Sequence, residues 1–411
     1  MSTIQNYTMQ NMNLIKEIET SHAEFSHIRR DLHAHPELAF QEVRTADAIV
    51  ASLQNWGIPV HRGLGGTGLV GIIRNGRSTR AIGLRADMDA LPIQELNTFE
   101  HASQYPGKMH ACGHDGHTAM LLAAAWHLNA TRNFDGTVYL IFQPAEEGKG
   151  GAASMIKDGL FEQFEMESVY AIHNWPGMPL GSFGVNSGAI MASSNEFKIT
   201  LRGKGSHAAL PHHSIDPVAA MAALSQALQT ILTRNKRPND AAVLSITQMQ
   251  AGEASNVIPD FGWIGGTVRT FSIDVLDLIE SRMREMSEHL AHGFGCDAEV
   301  IFNRNYPPTI NHRAETAICV EVMRDVVGAE NVDADIEAPL SSEDFSFMLL
   351  AKPGCYALIG NGDGGHRDHG HGLGPCMLHN TSYDFNDNLL PIGATYWVRL
   401  TERLLALTNQ E

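Results

Sequence analysis

Between residues 195 and 304 the chain changes rhythm, and that change limits the folds open to it. Before it, apolar runs bounded by glycine read as strands: "GLVGII" (68–73), "AIGLRADMDALPI" (81–93), "GTVYLIF" (136–142) and "SVYAIH" (168–173). Helices are expected over 14–34, over 42–56 and over 116–129. Strands alternating with helices predict an α/β domain built on a buried, largely parallel sheet. Within 195–304 the order becomes strand, helix, strand, strand, helix, strand, running from "NEFKITLRG" to "DAEVIFN". Asp216 and Pro217 mark the start of the first of these helices as N-cap and first-turn proline. This is the split βαβ order of ferredoxin-like α+β domains. After 305 the first rhythm returns, with a helix over 314–327, a strand "GCYALIG" (354–360), a Gly/His-rich loop (361–382) and a final helix. The expected architecture is an α/β domain split in sequence, 1–191 and 305–411, with a smaller domain, 192–304, inserted in it. At 411 residues the chain is too long for one ordinary core, which agrees with two domains.

Composition narrows the function classes. With 29 basic against 46 acidic residues the formal charge is −17, and no basic patch offsets it. Such a surface repels phosphate backbones, so nucleic acid is not expected as a partner. No apolar run reaches the roughly 18 residues a membrane helix needs. The polar N-terminal stretch lacks a signal-peptide pattern, which gives a cytoplasmic protein as the expectation. Five scattered cysteines argue against a disulfide framework and for a reducing compartment. The 21 histidines are the more telling excess, clustered at 110–117, 207–213 and 366–379.

The densest cluster is "MHACGHDGH" (109–117), which brings Cys112, His114, Asp115 and His117 together ahead of an apolar helix. Thiolate and imidazole are good ligands for zinc-like divalent metals. Open α/β sheets bind ligands beyond the carboxyl ends of their strands. Three strands end there on candidates: "GLRADMDA" offers Asp87 and Asp89, "FQPAEE" offers Glu146 and Glu147, and "YAIH" ends on His173. Two adjacent carboxylates at a strand end can divide roles, one holding metal and the other free as a general base. His379, in "CMLHNTSYDFND", competes as a ligand with the His366, His369 and His371 run, which reads as a solvated Gly-spaced loop. Three further candidates lie in the inserted domain. His207 in "GKGSHAALPHH" reads equally well as a loop His with a local hydrogen bond. Asn256 and Arg269 suit a carboxylate ligand, but taken alone their setting favours ordinary turn and sheet chemistry.

These segments, with "DLHAHPELAFQE", "ASNVIPD", "GTVRTF" and "SSEDFSF", run in order over nearly the whole chain and resemble the M20 metallopeptidase family. They are most similar to its amidohydrolase branch, hydrolases of hippurate and of indole-acetyl amino acid conjugates. The resemblance implies two divalent ions, zinc or manganese first and cobalt or nickel next, held by Cys112, His114, Glu147, His173 and His379. It implies Glu146 as general base, His207 as oxyanion stabiliser in its own subunit or across a dimer contact, and Asn256 and Arg269 at a substrate carboxylate. Arg85 stands where other members carry a metal-binding His. The split domain would then be the di-metal catalytic domain. The inserted one would be a lid, hinged near 192 and 305, and a dimer or tetramer interface. The activity implied is hydrolysis of N-acyl amino acids. Alternatives are a metal-dependent aminopeptidase or dipeptidase, a Cys112 nucleophile without metal, and a protein that only binds.

Overall fold

A computed structural model describes residues 12–367 and 369–407. The chain divides into two compact units. The larger is drawn from residues up to Ile190, from Ile310–Glu337 and from Asp344 onward. The smaller takes Met191–Thr309 and also Ala338–Glu343, a segment that the expected boundaries leave with the larger.

The larger unit is built on an eight-stranded sheet among the described residues. Its order is Val60–Leu64, Gly68–Asn75, Gly136–Gln143, Ala81–Asp87, Ser168–Pro176, Gly354–Gly362, Phe183–Gly184 and Val332–Asp333. The middle four strands run parallel to their neighbours, whereas Gly68–Asn75 and Phe183–Gly184 join them antiparallel. Every residue of Ala81–Asp87 and of Gly354–Gly362 is buried, as a sheet covered on both faces requires. Helix His114–Thr131 is apolar on nearly all sides, and fourteen of its residues are buried. It packs beside the C-terminal helix Leu390–Leu404 and the N-terminal helix His22–Ala34.

Two expectations change here. The strand expected over 81–93 stops at Asp87. Beyond it the Ala90 and Leu91 N–H groups go to Glu37 O and Met109 O, the Asp87 carbonyl accepts from the Thr118 hydroxyl, and Pro92 has no N–H to give. The helix expected over 14–34 is two helices, Lys16–Thr20 and His22–Ala34, which meet at Ser21 with φ −91 and ψ 6.

The smaller unit is a four-stranded antiparallel sheet in the order Ala242–Ala251, Phe261–Thr270, Ser194–Arg202, Asp297–Tyr306. Strand Ser194–Arg202 buries alternate residues, among them Phe197, Ile199 and Leu201, against helices Pro217–Thr230 and Ile273–Gly293. Leu224, Leu228, Ile279 and Met283 complete that core. With the connections read in sequence, strands two, three, one and four lie side by side, the ferredoxin-like arrangement expected of βαββαβ. Asp216 caps the first helix by accepting from the Val218 and Ala219 N–H groups, and Pro217 needs no partner at the first turn. Asp216→Ala is expected to cost the smaller unit about 0.5–2 kcal/mol, and Asp216→Ser much less, measured by denaturant unfolding. Equal stability of both variants would remove the cap from the account.

Candidate metal centre

The parallel strands Ala81–Asp87, Gly136–Gln143 and Ser168–Pro176 deliver their carboxyl ends to one rim of the sheet. The first ends on Asp87, the second runs into Glu146 and Glu147, and the third carries His173 near its end. Helix His114–Thr131 starts at the same rim. Its N-cap, Gly113, sits at φ 88, a left-handed conformation that favours glycine. A Cβ at Gly113 would collide with Asn174 and the Tyr383 hydroxyl, and one at Gly116 with the Phe385 ring. The glycines of "CGHDGH" are therefore required by close packing. His114 and His117, three apart, share one helix face, with rings 5.5 Å apart.

The hydrogen bonds separate ligand candidates from their supports. His114 donates from Nδ1 to Asp89 Oδ1 (3.2 Å), and its buried Nε2 has no hydrogen-bond partner among the described residues. His173 donates from Nδ1 to Asn174 O (2.7 Å), which turns Nε2 toward Cys112 Sγ at 3.4 Å. His117 is used at both nitrogens. Its Nδ1 donates to Asp87 Oδ1 (2.6 Å) and its Nε2 accepts from Asn174 N (2.9 Å). Asn174 also donates to Cys112 O and accepts from the Tyr383 hydroxyl, so one side chain ties three segments of the rim. His379 arrives from the C-terminal region at φ 61, pinned by its N–H to Ala111 O (2.7 Å), with Nε2 3.2 Å from Glu147 Oε1.

Among the described residues of the larger unit, three groups of donor atoms lie within 4.8 Å of one another: Cys112, Glu147 and His379; His114, Glu146 and Glu147; Asp87, His114, His117 and His173. A buried, unpartnered imidazole nitrogen among a thiol and carboxylates is what a cation satisfies, because buried polar atoms are otherwise paired. The S, N and O donors fit a zinc-like divalent ion. His114 and His173 each have the other ring nitrogen engaged, by Asp89 Oδ1 and Asn174 O, the support that such sites need.

Charge follows the same plan. Against burial, Asp87 and Asp89 with Glu147 push the His114 ring up to about 10. Burial, then the neighbouring His117, drives His173 well below its usual value. Burial, then Glu147, Glu146 and Asp87, pushes the Cys112 thiol up. A thiol so placed is not an activated nucleophile by itself, and a bound cation reverses that balance. Against burial, the His379 hydrogen bond and the His114 charge hold Glu147 below the usual carboxylate range.

The larger unit thus gathers six of the expected residues: Cys112, His114, Glu146, Glu147, His173 and His379. The expected ligand set omitted Asp87 and His117, which stand in the same cluster. Their signal was the end of a fully buried strand and the three-residue spacing from His114. Arg85 is buried and serves structure here, donating to Asp87, Gln143 and Asp344. The reading of His366 and His371 as solvated is corrected. His371 bonds the buried Asp384 carboxylate at Oδ2 (3.0 Å), and His366 bonds the backbone carbonyl of the same residue (3.3 Å). His369 is exposed.

The smaller unit holds the other three candidates. His207 is exposed in a two-residue strand paired with Val257–Ile258, and Asn256 O accepts from Ala208 N, so these two are neighbours. Arg269 is half-buried and donates to Ser342 Oγ (3.1 Å).

A cluster of thiol, imidazole and paired carboxylates at the strand ends of an open α/β sheet defines a metal-dependent hydrolase. More narrowly, the chain belongs to peptidase family M20/M25/M40, whose profile matches residues 83–403. It is 40% identical to the hippurate hydrolase of Campylobacter jejuni, over 96% of this chain and all of that one. It is 39% identical to the N-acetyl-L-cysteine deacetylase of Bacillus subtilis, over 83% and 81% of the two chains. A crystal structure of a dinuclear metal-binding M20 peptidase from Bacillus subtilis superposes with a TM-score of 0.81 at 33% identity, covering 94% and 99% of the chains. Within that family the chain is a metal-dependent amidohydrolase.

Two outcomes are expected. Gly113→Ala pays about 1–2 kcal/mol for the left-handed backbone and displaces Asn174, so zinc affinity and melting temperature should both fall. An unchanged zinc titration would show that the helix start does not set the site. The second concerns His33, buried between Asp115 (2.9 Å) and Glu95 (3.2 Å), which against burial raise its pKa to about 10. A raised imidazole stabilises fully below its unfolded value near 6.5, and that stability is lost as pH rises through 10. The melting temperature should decline over this window, and His33→Asn should flatten the decline. The same slope in both proteins would count against the assignment.

Proposed function

We propose that the protein hydrolyses N-acyl amino acids to a carboxylic acid and a free amino acid, using two divalent ions. The observation that carries this reading is the Glu146–Glu147 pair. Glu147 stands with Cys112 and His379, and Glu146 lies beside it, buried, within reach of His114. The names of the relatives support the substrate class, since hippurate and N-acetyl-L-cysteine are both amino acids acylated on nitrogen. An IAA-amino acid hydrolase of Arabidopsis thaliana, 37% identical over 92% of this chain and 85% of that one, adds a third acyl group.

We assign Cys112, His114, Glu147, His173 and His379 to the ions, zinc or manganese before cobalt or nickel. When bound, such a pair supplies Lewis acidity to the amide carbonyl and acidity to an attacking water. Glu146 takes the proton from that water and passes it to the leaving amine nitrogen, which must be protonated to depart. His207 stabilises the oxyanion, and Asn256 and Arg269 receive the substrate carboxylate, an assignment that rests on their motifs. The smaller unit acts as lid and as the contact of a homodimer or homotetramer. No described helix is long and apolar enough to cross a membrane. Five free, buried cysteines suit a reducing cytoplasm.

The test is amine release from N-benzoyl-glycine, N-acetyl amino acids and free dipeptides, before and after chelation and with single ions restored. Activity on the acylated substrates that is lost on chelation and returns with one ion is the expected result. Cleavage of the dipeptides alone would replace this reading with a peptidase. Glu146→Gln is expected to keep its metal and lose 10²–10⁴-fold in kcat, and near-normal turnover would remove Glu146 as the base.

A further inference from the structure

The turn that presents Glu146 and Glu147 is an improbable piece of backbone. Ala145 sits at φ 54, Glu147 departs from helical geometry, and Gly148 and Gly150 lie at φ 73 and 70. Left to itself such a turn would relax, since each left-handed non-glycine residue costs about 1–2 kcal/mol. Three successive N–H groups hold it by donating to buried carboxylates. Ala145 N donates to Glu42 Oε1 (2.9 Å), Glu146 N to Asp89 Oδ1 (3.1 Å) and Glu147 N to Asp89 Oδ2 (3.1 Å). Consecutive amides pointed at one anion form a concave, charge-assisted grip. Asp89 Oδ1 also receives Nδ1–H of His114, and the Asp89 side chain is buried.

We infer that Asp89 is a positioning residue for the hydrolytic reaction: its one carboxylate sets the amides under Glu146 and Glu147 and the ring of His114 as a single unit. The base, one acidic ligand and one imidazole ligand are thereby fixed relative to each other, although they come from a turn and a helix distant in sequence. Asp89 belongs to none of the candidate donor groups among the described residues and acts through these three partners. The inference rests on the reading of Glu146 as base and His114 as ligand, and it gives "RADMDALP" a role beyond ending a strand.

The chemistry makes a sharp contrast possible. Each oxygen of Asp89 faces a backbone N–H, Glu146 N on Oδ1 and Glu147 N on Oδ2, and a backbone N–H cannot turn around and accept. Asparagine at 89 must therefore aim its NH2 at another donor, whichever way it is flipped. At Glu42 the second oxygen instead accepts from the Thr67 hydroxyl (2.6 Å), which can rotate and accept from an amide. Asp89→Asn should consequently disturb the site far more than Glu42→Gln, although each removes one buried charge.

The experiment measures zinc affinity of the metal-free proteins by competition with a chromophoric chelator, together with kcat and KM at saturating zinc. For Asp89→Asn, zinc affinity should fall about 10–100-fold, the usual cost of losing an outer partner of a ligand. kcat should fall at least tenfold with KM within about threefold, and excess zinc should not restore it, because the placement of Glu146 is a separate loss. Glu42→Gln should lower kcat far less than Asp89→Asn. Zinc affinity within twofold of the parent, or a kcat fully restored by excess zinc, overturns the inference. Should Asp89→Asn not fold, Asp89→Glu keeps both acceptors one methylene further out. A loss of kcat without loss of folding supports positioning, and a normal kcat overturns it. The zinc titration does not depend on the role of Glu146. If Glu146→Gln stays active while Asp89→Asn loses zinc, the base assignment fails and the grip on His114 stands.

Discussion

Buried charge is the constraint around which this molecule is arranged. Asp87, Asp89, His114, His117 and Glu146 lie at one sheet rim with almost no exposed surface. An ion stripped of water at such a place is tolerated only if partners replace the water. Each carboxylate therefore has donors: Asp87 takes Arg85 and His117, and Asp89 takes two backbone amides and a ring nitrogen. The buried strands around the rim supply the low-dielectric walls that make these pairings strong and their absence costly. A second layer repeats the scheme deeper in the unit. Arg29 there spans Asp115, Asp384 and Asp387, and His33 bridges Asp115 to Glu95. Asp115 stands in both the metal-rich motif and this inner network, so the motif is fastened from behind.

Much of this was legible beforehand, and the reasons are specific. Long buried strands such as "GTVYLIF" declare themselves by continuous apolar character, and the helix after "MHACGHDGH" does so by length. The change of rhythm at 195 marks the smaller sheet, and its cap at Asp216 is a local interaction that sequence reads well. Cys112, His114, Glu147 and His173 were visible because each lies near the end of a strand or the start of a helix on the same side of a parallel sheet. What was hidden depends on contacts far apart in the chain. The strand expected over 81–93 stops at Asp87 because Glu37 and Met109 claim the next amides. His366 and His371 looked solvated because nothing local announces that Asp384, 18 and 13 residues on, offers them its carbonyl and its carboxylate. His117 stood in the same motif as His114 but outside the expected ligand set, and the partner on each nitrogen shows how the two rings differ.

The two units use opposite means of specification. The smaller is held by alternating burial on its strands and by Leu224, Leu228, Ile279 and Met283 between helices and sheet, with hardly any buried charge. Its surface residues, His207 and Asn256 among them, sit on short exposed connections where sequence can vary without disturbing a core. The larger unit surrounds its polar rim with an all-round apolar helix and fully buried strands, so it has little freedom to alter the site without altering the fold.

His379 has a consequence for how the protein is made. Its N–H is tied to Ala111, next to Cys112, and the strand Gly354–Gly362 lies inside the sheet beside Ser168–Pro176. Ribosomes deliver the N-terminal part first, at roughly 5–20 residues per second. For much of its synthesis the chain therefore carries an exposed thiol, exposed carboxylates and an unfinished sheet, with the smaller unit free to fold as it emerges. The donor set closes only when the last strand and the tail behind it arrive. A chain cut short before Gly354 would leave Ser168–Pro176 with an open sheet edge, and Cys112 and Glu147 without the third donor of their group.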